Sequence, residues 1–256
     1  MNSNWMIKNF AKVIVKEPIV IEGLPGMGNV GKIAVDFIIE ALEATKIYEL
    51  NSDSFPNCVF LSENGLVELP KIEIYHKKIN KNDFLLISGD VQPSEEKSCY
   101  EFCENLLDLF QKLKVKEIVT LGGIGLNELP KEIKLYCAGN NTKTINKYLD
   151  AQVKSAEGVV GPIVGVSGLL LGLAQNRNIN GVILLVETLG LPSYLGIKEA
   201  KELLNVLNRK LKLNLNIQEL NKEVKAIEKE INDKLKSIIK KEEIKSGKKE
   251  FTNYIG

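Results

Sequence analysis

The amino-acid sequence predicts an α/β protein, in which a mainly parallel, mixed sheet forms the middle layer of a three-layer α/β/α sandwich. Several short segments are apolar along their whole length, as strands covered on both faces are, and segments of helical period lie between them. A glycine-rich turn at residues 23–31 joins an expected strand to an expected helix. With 256 residues, of which 44% are hydrophobic, the chain can form one large domain with an appendage.

The glycine-rich turn reads GLPGMGNVG and is flanked by an expected strand at residues 13–22 and an expected helix at residues 32–44. Pro18 is expected to break or bulge that strand. The turn contains the dinucleotide-binding spacing Gly-x-Gly-x-x-Gly, and Glu49 follows its last glycine by 18 residues, where such folds carry a ribose-binding acid. Residues 58–78 predict a hairpin instead of the next helix–strand unit. We therefore favour chain geometry and close packing over NAD binding as the role of these glycines.

Three strands are expected next, at residues 46–50, 58–61 and 67–76. Asn64 and Gly65 predict a tight hairpin turn before the third strand. Ile72, Ile74 and His76 share one face of it, so that strand is expected to have one buried side. The only histidine of the chain then lies at the fraying end of a strand, with no second ligand or acid at a recognisable spacing. The pattern does not predict a catalytic role for His76.

The rest of the globular region alternates strands and helices. Strands are expected at residues 84–88, 117–121, 133–138 and 181–186, and helices at 94–113, 159–174 and 198–211. The glycines at 122–125 are expected to close the strand before them. The uncharged helix at 159–174 is too short for a bilayer, which needs about 20 residues. Its glycines at 161, 165, 168 and 172 predict a smooth stripe that another backbone can approach closely.

Turns that follow strands are expected to meet at one edge of the sheet, where open α/β sheets bind ligands; they are the turns around Gly23, Asp90, Gly122 and Glu187. Ser193 and Tyr194 follow the last of these and offer further polar groups. No acid, base and nucleophile can be assembled from these residues, so no enzymatic activity and no cofactor are predicted. The alternative is a nucleotide- or nucleoside-binding enzyme or sensor that uses Gly26, Gly28, Gly31, Asp90 and Glu187.

The composition indicates which partners the protein is not expected to bind, and the cysteines indicate the compartment in which it is expected to reside. A net charge of +1 and 6% aromatic residues give no basis for binding nucleic acid or an anionic membrane. The four cysteines are too scattered for a disulfide framework and indicate a reduced, cytoplasmic protein. Cys99 and Cys103 stand four residues apart on an expected helix, but no second pair completes a metal site, so core packing is predicted. The first ten residues lack the features of a signal peptide.

Beyond residue 215 the composition changes to lysine and glutamate with spaced aliphatic residues, which predicts a long helix at residues 216–245, a possible coiled-coil segment. Its narrow apolar seam is expected to bind a partner surface and begins with Ile217, Leu220, Val224, Ile227 and Ile231. A helix with so narrow a stripe gains little alone in water, so we expect a homo-oligomer. Residues 246–256 are predicted to form a flexible tail.

Four short motifs together resemble a known family. They are GLPGMGNVG at 23–31, SGDVQP at 88–93, LGG at 121–123 and ETLG at 187–190. In this order and spacing, over residues 10–212, the chain is similar to the proteasome assembly chaperone family in its archaeal branch. The resemblance implies that residues 1–215 form an α/β/α domain related in fold to nucleoside phosphorylases, which serves protein binding instead of chemistry.

The same resemblance implies the partners, which are proteasome α subunits or a paralogous chaperone. Some family members bind α subunits through a C-terminal tail that ends in a hydrophobic residue, a tyrosine and any residue. This chain ends in Tyr254, Ile255 and Gly256, so its tyrosine is third from the end and follows a polar residue. These three residues are the candidate contact of the tail.

Overall fold

The computed structural model describes residues 5–62, 64–159, 161–216 and residue 222. The chain divides into two units, and the strands and helices named below belong to the first, Met1–Leu215. Within the described residues, the strands are β1 (Trp5–Asn9), β2 (Ile19–Glu22), β3 (Thr45–Ser52), β4 (Phe60–Leu61), β5 (Val67–Glu68), β6 (Ile72–Ile79), β7 (Asn82–Gly89), β8 (Glu117–Leu126), β9 (Leu135–Gly139), β10 (Val153–Ser155) and β11 (Gly181–Leu189). The helices are α1 (Val30–Ala41), α2 (Glu96–Leu113), α3 (Thr142–Tyr148), α4 (Val166–Asn176) and α5 (Ile197–Leu211).

Nine strands form one sheet in the order β1-β3-β6-β7-β2-β8-β11-β9-β10, and β4 pairs with β5 in a separate hairpin. The central strands β7, β2, β8 and β11 run parallel, and β10 runs parallel to β9. The four other neighbouring pairs of the sheet, β1–β3, β3–β6, β6–β7 and β11–β9, are antiparallel. The prediction of a mainly parallel sheet is therefore wrong in its proportions. The sheet is mixed because hairpins and an oppositely directed strand flank the parallel centre.

Helices cover both faces of the sheet. Helices α1 and α5 contact each other on one face, and α2 and α4 contact each other on the other. Strand residues alternate between these layers, as the pleat requires: Val20, Leu85, Ile118 and Ile183 join the buried cluster beneath α2 and α4. The side of α2 that faces this cluster carries Cys99 and Cys103, which are both buried. The core-packing role predicted for these cysteines is confirmed.

Strand β2 is shorter than predicted. It occupies only Ile19–Glu22, while Val13 and Ile14 are exposed and pair with no strand. Glu17 has a φ of 44°, which turns the chain just before Pro18 and ends the extended run there. The β-branched composition of residues 13–15 favoured a strand, but no neighbouring strand is available to pair with them.

The predicted strand at residues 67–76 is two strands, β5 and β6, and the hairpin turn at Gly65 joins β4 to β5 as expected. His76 is not at a fraying end, because β6 continues to Ile79 and pairs with β7 along its length. The ring of His76 is 9% exposed, and its Nε2 lies 2.7 Å from Oδ1 of Asp83 on β7. The backbone N–H of Lys16 donates to the other carboxylate oxygen of Asp83 at 3.3 Å. His76 is thus a hydrogen-bonded core residue of a long hairpin.

Strands β8 and β11 extend past their predicted ends. The glycines at 122–125 do not close β8, because Gly122 and Gly123 pair in parallel register with Leu185 and Val186 of β11. Glu187 likewise lies within β11 and not in a turn. A long-range partner strand therefore overrides the local preference of glycine for turns.

The uncharged segment at 159–174 is a helix only from Val166 onward. Gly165 precedes it with a φ of 97°, a left-handed conformation that ends the loop and starts the helix. Of the four glycines in the predicted stripe, only Gly168 and Gly172 lie in α4, and a Cβ at Gly172 would meet nothing within 4 Å. The predicted smooth contact stripe is wrong, because its members do not share one packed surface.

The predictions for the C-terminal region lie outside the described residues. They concern the helix at 216–245, the tail at 246–256, and the residues Ile217, Leu220, Val224, Ile227, Ile231, Tyr254, Ile255 and Gly256. In the part of the chain that the structure describes, no helix has both the length and the apolar character needed to cross a membrane.

Candidate functional site

A cleft of about 410 Å³ opens at the carboxyl edge of the central strands. The parallel strands β2, β7, β8 and β11 end at this edge, although two of the four turns predicted to meet there, those around Gly122 and Glu187, lie within β8 and β11. The glycine-rich turn, β8 and the loop before α4 form its walls, and the residues that line it include Gly26, Met27, Gln92, Gly161, Val164 and Ser167. Gly122, Gly123 and Gly125 of β8 also line it, and a Cβ at Gly123 would lie 2.5 Å from the carbonyl oxygen of Met27, so the turn packs closely on β8 there.

No charged side chain is among the described residues that line the cleft. Its two polar side chains bind the protein itself. Gln92 donates from Nε2 to the carbonyl of Pro25 at 2.7 Å and accepts at Oε1 from the N–H of Val166 at 3.2 Å. Ser167 donates from Oγ to Glu22 at 2.9 Å. Apart from these two, the side chains of the lining are apolar or absent, so the cleft offers no charged side chain to a phosphate.

Glu22 lies fully buried beneath the cleft at the end of β2. Its Oε2 accepts from Ser167, and its Oε1 accepts from the N–H of Leu24 at 3.1 Å. Burial raises the pKa of Glu22 to about 7, although both hydrogen bonds lower it. Sequence reasoning missed this residue, and the available signal was a carboxylate at the end of an otherwise apolar strand, directly before the glycine-rich turn. Glu22 joins β2, that turn and α4 beneath the cleft.

The glycines of the turn have different roles. A Cβ on Gly23 would lie 2.2 Å from the carbonyl oxygen of Gly31, so these two residues meet where β2 packs on α1. Gly28 has a φ of 63°, and a Cβ there would lie 2.7 Å from Oγ1 of Thr188. Gly26 is extended, with a φ of −161°, and its Cβ would meet only a carbonyl oxygen at 4.0 Å. A side chain is therefore sterically excluded at Gly28, as expected, but would fit at Gly26.

The residues of the nucleotide-binding alternative are not brought together. Gly26 and Gly31 line the cleft, but neither Asp90 nor Glu187 does. Asp90 accepts from the N–H of Lys71 at 3.1 Å, and Glu187 accepts from the hydroxyl of Tyr136 at 2.9 Å.

Glu49, the candidate ribose-binding acid, also lies in the wrong place for nucleotide binding. Glu49 lies on β3, which β6 and β7 separate from β2, whereas a dinucleotide fold carries this acid close to the glycine loop. Its carboxylate lies 3.2 Å from the ammonium group of Lys46 and 3.7 Å from that of Lys8. Glu49 therefore takes part in an ion-pair cluster on β3.

Helix α5, which follows the loop after β11, contributes a second buried carboxylate, that of Glu199. Its Oε1 accepts from the hydroxyl of Tyr194 at 3.0 Å and lies 3.4 Å from Oγ1 of Thr188. The N–H of Gly196 donates to the carbonyl of Gly28 at 2.8 Å. These contacts fasten the start of α5 to the glycine-rich turn, so Tyr194 has a structural role beside the cleft.

Two exposed apolar surfaces lie at the same edge of the sheet. The first, which we call the rim, consists of Met27, Val159 and Val164, which line the cleft, and of Leu191 and Leu195, which follow β11. The second, which we call the arm, is residues 59–69 with the β4–β5 hairpin; its exposed apolar residues are Val59, Phe60, Leu61, Leu66, Val67 and Leu69. Exposed apolar residues that form a patch are typical of protein-binding sites.

The fold and the cleft define an α/β protein with helices on both faces of a mixed sheet and a cleft without charged side chains among its described lining residues, at the carboxyl edge of the sheet. Residues 20–235 match the model of the PAC2 family, and the chain belongs to that family. The resemblance inferred from the sequence motifs is confirmed.

Similar proteins come from archaea. An uncharacterised protein of Methanocaldococcus jannaschii, MJ0106, is 30% identical over 248 residues, which cover 96% of each chain. The crystal structure of Pyrococcus furiosus PbaB, described as an archaeal proteasome activator, is 32% identical with a TM-score of 0.82 and covers 91% of this chain and 99% of that one. PbaA of the same organism, described as an archaeal homologue of proteasome-assembly chaperone, shares the fold at 24% identity and a TM-score of 0.76, covering 94% and 96%.

Proposed function

We propose that this chain is a non-enzymatic factor that binds proteasome α subunits and assists proteasome assembly or activation. The likeness to PbaB carries the proposal, because it extends over 91% of this chain. The two sequences are 32% identical, so the similarity is not one of fold alone. Membership of the PAC2 family is consistent with it. In this proposal the α/β domain serves as a scaffold for protein contacts.

The sheet edge supports the proposal because its surfaces resemble those of protein interfaces. Interface cores are depleted in charged residues and enriched in methionine and aromatic side chains. The cleft lining has no charged side chain among the described residues, and Met27 and Phe60 are exposed at the rim and on the arm. The nucleotide-binding alternative gains no comparable support, since its proposed polar groups lie away from the cleft.

The predicted C-terminal features belong to the same proposal. Tyr254, Ile255 and Gly256 are the proposed contact with α subunits, and the seam that starts at Ile217 is the proposed surface for self-association. The relation in fold to nucleoside phosphorylases, which the family resemblance implies, adds no activity to the proposal.

The tail contact is tested by co-elution of the full chain with proteasome α subunits on size-exclusion chromatography. The Tyr254→Ala variant should co-elute less than the unchanged chain. Tyr100→Ala is the matched control, because Tyr100 is an exposed tyrosine on helix α2 and not part of the tail. Equal co-elution of both variants would remove the tail from the contact, and no co-elution of the unchanged chain would contradict the proposed function.

Self-association is tested by light scattering on the full chain and on a chain that ends at Leu215. We expect an oligomer that is lost or reduced on truncation, because the apolar seam needs a partner surface. A monomeric full chain would contradict self-association, and an unchanged oligomer after truncation would place the contact in the α/β domain.

A further inference from the structure

We propose that the amino edge of the sheet, where the parallel strands begin, is a second protein-binding surface that takes an acidic partner. It consists of five lysines, which we call the lysine edge, together with an exposed isoleucine. The lysines are Lys16, Lys78, Lys81, Lys114 and Lys116. This inference goes beyond the proposed function, whose contacts lie at the carboxyl edge and in the C-terminal residues.

The strand pairing brings three of the lysines together. Lys116 directly precedes β8, and its N–H donates at 2.9 Å to the carbonyl of Pro18, which directly precedes β2. The N–H of Lys16 donates to the side chain of Asp83 on β7 at 3.3 Å. Lys78 on β6 pairs with the same Asp83. These contacts join the neighbouring strands β6, β7, β2 and β8, which together span about 14 Å at the usual strand spacing.

The two other lysines lie in the turns beside this row. Lys81 is in the turn of the β6–β7 hairpin, between the paired residues Ile79 and Asn82. Lys114 ends α2 with a φ of 54° and precedes Lys116 by two residues. The charges of the two turns therefore add to the same surface.

The lysine edge keeps an excess of positive charge. Its five side chains are exposed, and none forms an ion pair with another described residue. Asp83 and Glu117 lie beside them in the strands, but both are buried and bind groups of the protein itself. The exposed acids Glu17, at the turn before β2, and Glu40 and Glu43, at the end of α1, are fewer than the lysines.

An apolar side chain accompanies these charges. Ile14 is 95% exposed and lies two residues before Lys16 in the segment that leads into β2. Protein interfaces combine apolar contacts with a polar rim, and complementary charges across them steer and orient the partner. A partner that fits this surface therefore carries several carboxylates beside an apolar group.

The composition of the surface favours an acidic protein over a nucleic acid or a membrane. Proteins that bind single-stranded nucleic acid rely on aromatic side chains and arginine, and the lysine edge contains neither. Binding at a membrane surface uses an amphipathic helix whose apolar face enters the lipid. The lysine edge is built from strand ends and turns instead.

Fluorescence anisotropy with the full chain tests the charge contact. The probe is a labelled peptide of glutamates with leucines at its centre. We expect Lys81→Glu combined with Lys116→Glu to weaken its binding about tenfold or more. The matched control combines Lys131→Glu with Lys154→Glu, two exposed lysines outside the lysine edge that form no ion pair with a described residue, and it should bind as the unchanged chain does. Equal affinities of the two double variants, or no binding by the unchanged chain, would overturn the proposal.

Circular dichroism shows whether each variant is folded. If the charge reversal unfolds the chain, Lys81→Gln combined with Lys116→Gln removes the charges while keeping side chains of similar length. This pair should still bind the probe more weakly than the corresponding glutamine variants of Lys131 and Lys154, and equal binding would overturn the proposal.

Ile14→Ser distinguishes a protein surface from a general polyanion site. It should weaken binding of the leucine-containing peptide about threefold or more and leave binding of an all-glutamate peptide unchanged. Val164→Ser is the matched control, at a 91% exposed apolar residue of the carboxyl edge. Single-stranded DNA or phosphatidylserine vesicles that bind more tightly than the leucine-containing peptide, and lose binding in the lysine variant, would overturn the protein assignment. No α subunit enters the test, so its outcome is separate from that of the proposed function.

Discussion

At the scale of single residues, the buried carboxyl group of Glu22 links the stability of the fold to pH. Its carboxyl group is fully buried between Ser167 and the N–H of Leu24, and burial raises its pKa to about 7. Between pH 4.5 and about 7 the folded protein therefore holds a proton that the unfolded chain releases. The free energy of unfolding falls as the pH rises through this range, because ionisation then costs the folded state more than the unfolded state.

Glu22→Gln tests this linkage. The amide keeps the acceptor for Leu24 and removes the ionisation, so the variant should match the unchanged chain near pH 5 and exceed it near pH 8. The difference should be on the order of 3 kcal/mol, from a pKa raised from 4.5 to about 7. Urea denaturation at the two pH values measures it. A difference between the two chains that does not depend on pH would contradict the assigned role of Glu22.

Two glycines of the turn give a second prediction at this scale. Gly28→Ala should lower the free energy of unfolding by about 1–2 kcal/mol for the left-handed backbone alone, and by more because of Thr188. Gly26→Ala is the matched control and should change it by less than about 0.5 kcal/mol, since that residue is extended and open. Thermal unfolding of both variants distinguishes them, and equal destabilisation would show that the turn is constrained throughout.

At the scale of elements, helix α3 is fastened to β8 by a buried polar cluster. Tyr148 is fully buried, and its hydroxyl donates to Glu117, the first residue of β8. The ammonium group of Lys147 lies 2.9 Å and 3.0 Å from the two oxygens of the same carboxylate. Burial raises the pKa of Tyr148, and the neighbouring carboxylate raises it further. The cluster satisfies a carboxylate that would otherwise be buried without partners.

Tyr148→Phe should lower the free energy of unfolding by about 1–2 kcal/mol, because Glu117 loses one donor while the ring still fills the core. Tyr100→Phe is the control, since Tyr100 is exposed on α2, and it should have no measurable effect. Urea denaturation near neutral pH is sufficient for the comparison. An unchanged Tyr148→Phe variant would mean that Lys147 alone satisfies the carboxylate.

Local sequence signals predicted the elements whose pattern is complete within a few residues. The centre of the sheet and helices α1, α2 and α5 were expected near their observed positions. The signals failed where a distant partner decides the structure. The glycines at 122–125 continue β8 because β11 lies beside them, and residues 13–15 form no strand because no strand pairs with them. Neither fact can be read from a short window of sequence.

The candidate site, too, could be predicted from local sequence patterns only in part. The turn glycines were found by their spacing, but the spacing does not distinguish Gly28, which the fold requires, from Gly26, which it does not. Glu22 and Ser167 are distant in sequence, and only the packing of α4 on β2 makes them a pair. Their buried contact, and the raised pKa that follows from it, required the three-dimensional structure.

At the scale of the whole molecule, the α/β domain is a scaffold. A mixed sheet with helices on both faces holds the base of the arm and the walls of the cleft at one edge, and the polar groups at that edge bind the protein itself. Rigid support of an apolar surface is what protein recognition needs, because little entropy is then lost on binding. The family and its archaeal relatives direct the proposal to the proteasome.

The central claim is that this chain binds proteasome α subunits and does no chemistry on nucleotides. Interferometry with the immobilised full chain tests it most directly, with purified α subunits of the same host as the analyte and NAD, ATP and nucleosides as parallel analytes. We predict saturable binding of the α subunits at micromolar concentration or below, about −8 kcal/mol or stronger, and no saturable binding of the small molecules. Saturable binding of a nucleotide or nucleoside with no response to α subunits would contradict the claim.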